Sequence, residues 1–301
     1  MKLKRIIIGF AAAAAVAAAA HADDDEARWL GILTRDAGSL GDLAFPDSGG
    51  ELGSFSGLSN ALFKPKGDGP FPALVLAHTC GGIRPAEMRY WIEAGLQEGY
   101  VVLVVDSMRG NRNNCYAPAP VPAGRRFKDL YDAARHLSKL PFVDASRIAE
   151  MGFSQGALMA ALLASPKAKQ AVAPAAPRYA ASVGLYGTCR WPAGSLKTAN
   201  FQITYLFDDS DRPLLFLMGD EDRETPPAYC DEPLSRLKEK GAPVEWHRYA
   251  GTTHCWDCSS MDGFSKIDHK GDRVSYRYDK AITEDSRLRA FDFLARRLKG
   301  S

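Results

Sequence analysis

The chain has no appreciable excess of either charge: 38 Lys and Arg stand against 36 Asp and Glu, a formal +2 over 301 residues. Such a balance gives no sign of nucleic-acid binding and no field to steer a strongly ionic polymer. No apolar run after the first twenty residues is long enough to cross a bilayer. Internal repeats and low-complexity linkers are also missing, so the sequence reads as one domain rather than an array or a string of modules. Cysteine is scarce, six in all, and only Cys255 and Cys258 are closely spaced. No second Cys/His pair at metal spacing accompanies them, so the motif indicates neither zinc nor redox chemistry.

The N-terminus does have a recognisable pattern. Met1 to Arg5 is basic, Ile6 to Ala20 is an unbroken apolar run, and Ala20-His21-Ala22 precedes Asp23-Asp24-Asp25-Glu26. Basic start, short apolar core and small-x-small cleavage site together describe a secretory signal peptide over 1–22, with a single domain over 23–301. Removing Lys2, Lys4 and Arg5 takes the formal charge from +2 to −1. Export to the periplasm or the medium is the expectation, with no membrane contact after cleavage. An even cysteine count in an exported chain favours disulfides, although six cysteines permit fifteen pairings.

Beyond an irregular, Gly-rich opening (about 28–57), strands and helices alternate. Ala73 to Ala77 and Val101 to Val105 are continuous apolar runs, as expected of strands buried on both faces of a parallel sheet. Further strands are predicted over 148–153, 181–186, 213–218 and 244–249. Met88, Trp91, Ile92 and Leu96 recur at helical spacing, as do Phe127, Leu130, Tyr131, Ala134 and Leu137. Two more helices are predicted, one from about Pro233 to Lys240 and one from about Asp285 to Leu298. The alternation predicts an α/β fold with a mostly parallel central sheet covered by helices on both faces. The polar stretch 256–283 has no assignable structure and is expected to be an extended loop beside the active-site edge.

The chemistry concentrates in Gly152-Phe153-Ser154-Gln155-Gly156, a G-x-S-x-G between a strand and the helix-forming run 157–163. A serine on a sharp strand-to-helix turn projects its hydroxyl at the helix N-terminus, where backbone amides receive an oxyanion. A serine hydroxyl needs a base, and the base needs an orienting acid. His254 follows the last strand in a flexible turn, where an imidazole can swing over the sheet edge. By contrast, His136 lies mid-helix, His247 inside a strand and His269 in the polar stretch, and His78 ends the first buried strand as a loop-organising residue. Among Asp220, Glu221 and Asp222, which follow the strand over 213–218, Asp222 is preferred as the acid and Asp220 is the runner-up. The order Ser154, Asp222, His254 is that of α/β-hydrolases. The oxyanion hole is expected from the amides of Gln155 and Cys80, the latter in His78-Thr79-Cys80-Gly81-Gly82.

These segments, with Val105-Asp106-Ser107, Arg109, Cys115, Gly219-Asp220-Glu221-Asp222, Pro226, Cys230 and Tyr249 to His254, resemble the dienelactone hydrolase family of α/β-hydrolases from about Phe63 onward. The name-giving enzymes use a cysteine nucleophile where this chain has Ser154, so the resemblance implies a serine esterase acting on small esters or lactones, with no cofactor and no metal. On that architecture the cysteines are expected to pair as Cys80–Cys115, Cys189–Cys230 and Cys255–Cys258. Arg109 and Arg112 are candidates for a substrate carboxylate, with solvated loop arginines as the alternative. The overall expectation is an exported hydrolase working through an acyl-enzyme. Its rivals are a secreted peptidase with the same triad and a non-catalytic binding protein on the hydrolase scaffold.

Overall fold

The computed structural model describes residues 24–298 apart from 111–113, 116, 196–198 and 269. The expected leader, Arg112 and His269 therefore lie outside the described residues. In chain order the strands are β1 (Ala61–Phe63), β2 (Phe71–Ala77), β3 (Val101–Val105), β4 (Val143–Phe153), β5 (Ala181–Leu185), β6 (Arg190–Trp191), β7 (Ile203–Thr204), β8 (Leu214–Gly219), β9 (Val244–Tyr249), β10 (Ser265–Ile267) and β11 (Arg273–Ser275). The helices are α1 (24–37), α2 (Pro85–Gln97), α3 (Ala123–Leu137), α4 (Gln155–Leu163), α5 (Pro166–Val172), α6 (Ala228–Glu239) and α7 (Lys280–Leu298). Seven strands form one sheet in the order β1-β3-β2-β4-β5-β8-β9, while β6–β7 and β10–β11 are separate two-stranded ribbons. Within the large sheet only the β1–β3 pairing is antiparallel. Among the described residues no helix is long and apolar enough to cross a membrane.

The apolar runs are continuous because each face of the sheet has its own core. Successive strand side chains point to opposite faces. Val75, Leu103, Ile148 and Phe216 pack on one side with α1, α3, α4, α5 and α6. Leu74, Val102, Met151 and Leu217 pack on the other with α2 and α7. Helix α4 is buried along almost its whole length, so it is apolar all round rather than striped.

A buried charged-type side chain breaks this pattern in β4. Glu150 lies in the middle of β4 with 0% exposure, and neither carboxylate oxygen has a hydrogen-bond partner among the described residues. Burial pushes its carboxyl well above the usual range. The folded form therefore binds a proton that the unfolded chain releases above its ordinary carboxylate pKa. That contribution to stability is full below pH 4.5 and is lost as pH rises toward the raised value. Glu150→Met, which keeps the volume and removes both oxygens, is expected to stabilise the fold by about 1–3 kcal/mol near pH 8 and by less near pH 4. Thermal melts of both proteins at the two pH values test this; an equal or negative shift at pH 8 would show that Glu150 is compensated.

Beyond β1, α5, β6 and β7, which the sequence did not predict, three parts of the chain differ from expectation. The opening is not wholly irregular: 24–37 is helical, burying Trp29, Leu33 and Ala37 at four-residue spacing. It sits so close to α3 that a Cβ at Gly124 would lie 2.1 Å from the Leu33 carbonyl oxygen. Its apolar stripe is narrow, and tertiary packing rather than propensity holds it. Helix α6 starts at Ala228, with Pro233 inside it rather than at its first turn, the position that proline usually favours. The stretch 256–283 carries the β10–β11 hairpin, a short 3₁₀ turn (Ser259–Met261) and the first residues of α7.

Candidate active site

Strand β4 runs straight into α4 through Ser154, which holds φ 53° and ψ −111°. A left-handed non-glycine conformation of this kind costs about 1–3 kcal/mol and persists only where its surroundings fix it. Here they do. The Ser154 N–H donates to Leu185 O at 3.0 Å. A Cβ at Gly152 would come within 2.2 Å of Gly156 backbone atoms, and one at Gly156 within 2.0 Å of Ala77 O. Both glycines of the motif are thus required by close backbone approach. The strained turn lifts the serine hydroxyl out of the sheet at the start of α4.

His254 Nε2 lies 3.0 Å from Ser154 Oγ, and His254 Nδ1 lies 2.8 Å from Asp222 Oδ2. Two interlaced turns create this alignment. The Asp220 and Glu221 N–H groups donate to Tyr249 O and Thr252 O, and the Asp222 N–H donates to Gly219 O. Asp222 is held from its other side: Oδ1 accepts the N–H groups of Glu224 and Thr225, each at 2.9 Å, and Oδ2 faces Thr225 Oγ1 at 2.7 Å. The rival acid, Asp220, turns outward to an exposed ion pair with Arg248 at 2.6 Å. Burial by itself would lower the pKa of His254, but the carboxylates of Asp222 and Glu224 outweigh it and hold it above its ordinary value. The Tyr186 ring meets the imidazole edge-on at 4.9 Å.

The loop after β2 approaches the same point. A Thr79–Gly82 bridge closes it, and the Cys80–Cys115 disulfide ties it to the loop beyond β3. Gln155 is the first residue of α4, where amides lack intrahelical acceptors. Buried Arg126 of α3 joins these two segments by donating to the Gln155 side-chain oxygen and, at 2.8 Å, to His78 O. Burial pulls its guanidinium down to about 10, against the pull of Asp129, so it stays charged at neutral pH. Burial and Arg126 together bring His78 down to about 3, and its Nδ1 faces Thr79 O at 2.7 Å. A loop-organising role is what the sequence led us to expect there.

Ser154 and His254 open into a cleft of about 160 Å³, lined among others by Cys80, Arg84, Met261, Phe264, Lys266 and Tyr276. The last four come from the stretch for which the sequence offered no structure. Arg109 does not line this cleft. Its guanidinium donates to Ser107 O, Gly41 O and Asp129, tying the loop after β3 to α3, which corrects the substrate-binding expectation. Among the described residues, Arg84, at the entry to α2, is the arginine that reaches the cleft. Among the other histidines, His136 lies on α3 with Nε2 2.8 Å from Pro46 O, and His247 lies in β9. All three expected disulfides form, Cys80–Cys115, Cys189–Cys230 and Cys255–Cys258. The sequence missed Glu224, Thr225, Lys266, Tyr276, Arg126 and Arg84. The first two were within reach, since they lie two and three residues after Asp222, whereas the others are brought in by packing between distant segments.

A parallel sheet with a serine elbow, a histidine after the last strand and an acid after the preceding one defines an α/β-hydrolase. The chain belongs to the dienelactone hydrolase family, whose model matches residues 58–298. It is 32% identical over 145 residues to Esterase FrsA of Klebsiella pneumoniae (strain 342), a match covering 45% of this chain. The match spans only 31% of that esterase's length. Esterase 2 of Thermogutta terrifontis with butyrate bound superposes with a TM-score of 0.59 at 15% identity, over 80% of this chain and 91% of that one. The same esterase phosphorylated by paraoxon gives 0.58, over 80% and 90%.

Proposed function

We propose that this protein hydrolyses small carboxylic esters or lactones through an acyl-enzyme on Ser154. The observation that carries the reading is the relay from Ser154 Oγ through His254 to Asp222, with both links at hydrogen-bond length. Ser154 Oγ attacks the carbonyl carbon while His254 Nε2 takes its proton, and Asp222 stabilises the imidazolium and fixes the tautomer. The amides of Cys80 and Gln155 receive the oxyanion, with the buried charge of Arg126 behind both segments. Collapse expels the alcohol with the proton from His254. Water then attacks the acyl carbonyl, gives its proton to His254, and Ser154 is released.

The size of the cleft, about 160 Å³ with Lys266 and Tyr276 of the hairpin side in its wall, argues for short acyl groups. The similarly folded Thermogutta esterase holds butyrate, in keeping with that scale. Three disulfides and the leader-like pattern of 1–22 support export to the periplasm or the medium. A fluorophosphonate probe is expected to label Ser154. Across acyl esters of increasing length, kcat/KM should peak at about two to four carbons and fall at least tenfold by eight, since each excluded methylene forfeits about 0.8 kcal/mol. A preference for matched peptide amides over esters would replace this reading with a peptidase.

A further inference from the structure

We infer that Glu224 is a positioning residue: it clamps the β10–β11 hairpin over the cleft and places a second carboxylate beside His254. The inference rests on the reading of His254 as the base. Glu224 is largely buried and lines the cleft with Ser154 and His254. Its Oε1 accepts from Lys266 Nζ at 2.8 Å, and its Oε2 accepts from the Tyr276 hydroxyl. Lys266 lies in β10 and Tyr276 just past β11, so one carboxylate holds both arms of the ribbon. A third link runs from Lys270 Nζ to Glu224 O at 3.2 Å. The Glu224 N–H is meanwhile committed to Asp222 Oδ1. The hairpin is therefore fastened to the turn that carries the acid of the relay. Through this fastening the Tyr276 ring lies 5.5 Å from the imidazole, and Lys266 and Tyr276 wall the cleft.

An exposed Lys–Glu pair would contribute little, but this pair is largely buried, and replacing Lys266 takes the charged donor away from Glu224 Oε1. The charge also has a task. His254 carries a positive charge in both tetrahedral steps, and it is faced by Asp222 and Glu224 from the acid turn, Lys266 from β10, Tyr276 beyond β11, Tyr186 at the end of β5 and Arg84 across the cleft. A groove on its other side adds Arg223, Arg273 and Arg277 with Asp220 and Glu221. Glu224 is among the groups raising the pKa of His254, and Lys266 lowers it. Burial would raise Glu224, yet His254, Lys266 and Tyr276 hold it below the usual carboxylate range, so it is ionised at neutral pH.

The test is an NMR titration of His254 in a Ser154→Ala background, which needs no turnover. Glu224→Gln should move the His254 titration to lower pH and Lys266→Met to higher pH. Amide exchange in β10 and β11 should quicken about tenfold in Glu224→Gln and change little in Glu221→Gln, which removes only an exposed pair with Arg277. With Ser154 intact, Glu224→Gln should raise KM several-fold and shift the acid limb of kcat/KM downward. Titrations that move together or not at all, or an unchanged hairpin exchange, would overturn the inference. Absence of ester turnover by the wild type would instead overturn the catalytic reading; opposite titration shifts and faster hairpin exchange would still support the clamp.

Discussion

Ser154→Ala is expected to lower kcat on short acyl esters by about 10⁴–10⁶ and to abolish fluorophosphonate labelling, with the fold intact. The size of the loss follows from the site. Removing the hydroxyl leaves His254 Nε2 with no proton to take at 3.0 Å, and the covalent route closes. The amides of the elbow and the loop after β2 remain, so slow oxyanion-assisted attack by water persists. Folding is expected to survive because the turn is held by the Ser154 N–H on Leu185 O and by the close contacts of Gly152 and Gly156, none of which uses the side chain. Alanine keeps the Cβ and hence the φ of 53°, so the backbone strain is unchanged. Matched measurements of kcat, labelling and thermal midpoint decide the matter. Near wild-type turnover on every ester would remove Ser154 from the nucleophile's role.

Asp222→Asn is expected to cost about 10⁴ in kcat while leaving the site's shape unchanged. An asparagine must present its amide nitrogen at one of two positions. Oδ1 faces two fixed donors, the N–H groups of Glu224 and Thr225, which reject an NH₂ group. The nitrogen therefore turns toward His254 Nδ1, which must then accept rather than donate, and the ring proton moves to Nε2. An imidazole protonated on Nε2 cannot take the proton of Ser154. Loss of the carboxylate also removes the strongest charge holding the His254 pKa up, so residual activity should extend to lower pH. Asp220→Asn disturbs only an exposed pair with Arg248, which keeps Asp231, and should change kcat by less than about threefold. The pair of variants assayed side by side tests the assignment, and the reverse ranking would transfer the role to Asp220.

Local pattern was enough for the elements that carry the site. Val101 to Val105 and Val244 to Tyr249 match the observed strands residue for residue, and the serine turn lies where the Gly-x-Ser-x-Gly spacing places it. These features are legible because their causes are local: strands buried on both faces must be apolar throughout, and an elbow admits only small flanking residues. The acid needed one step more, since three carboxylates follow β8. The turn from Gly219 selects Asp222, for a Cβ at Gly219 would lie 2.3 Å from Thr252 O, and only bare backbone lets the acid turn pass under the histidine turn.

What the sequence by itself determined is the chain order and the residue types of the relay, Ser154, Asp222 and His254, along a mostly parallel sheet. Only the tertiary structure decided what surrounds it. Arg109 and Arg84 are both loop arginines in the sequence; Asp129 captures the first, and the path into α2 sends the second into the cleft. The stretch 256–283 has no helical or strand period of its own because its order is borrowed. Lys266 and Tyr276 are fixed by a carboxylate more than forty residues earlier, Glu224, and no window of sequence that reads spacing contains both ends of that contact.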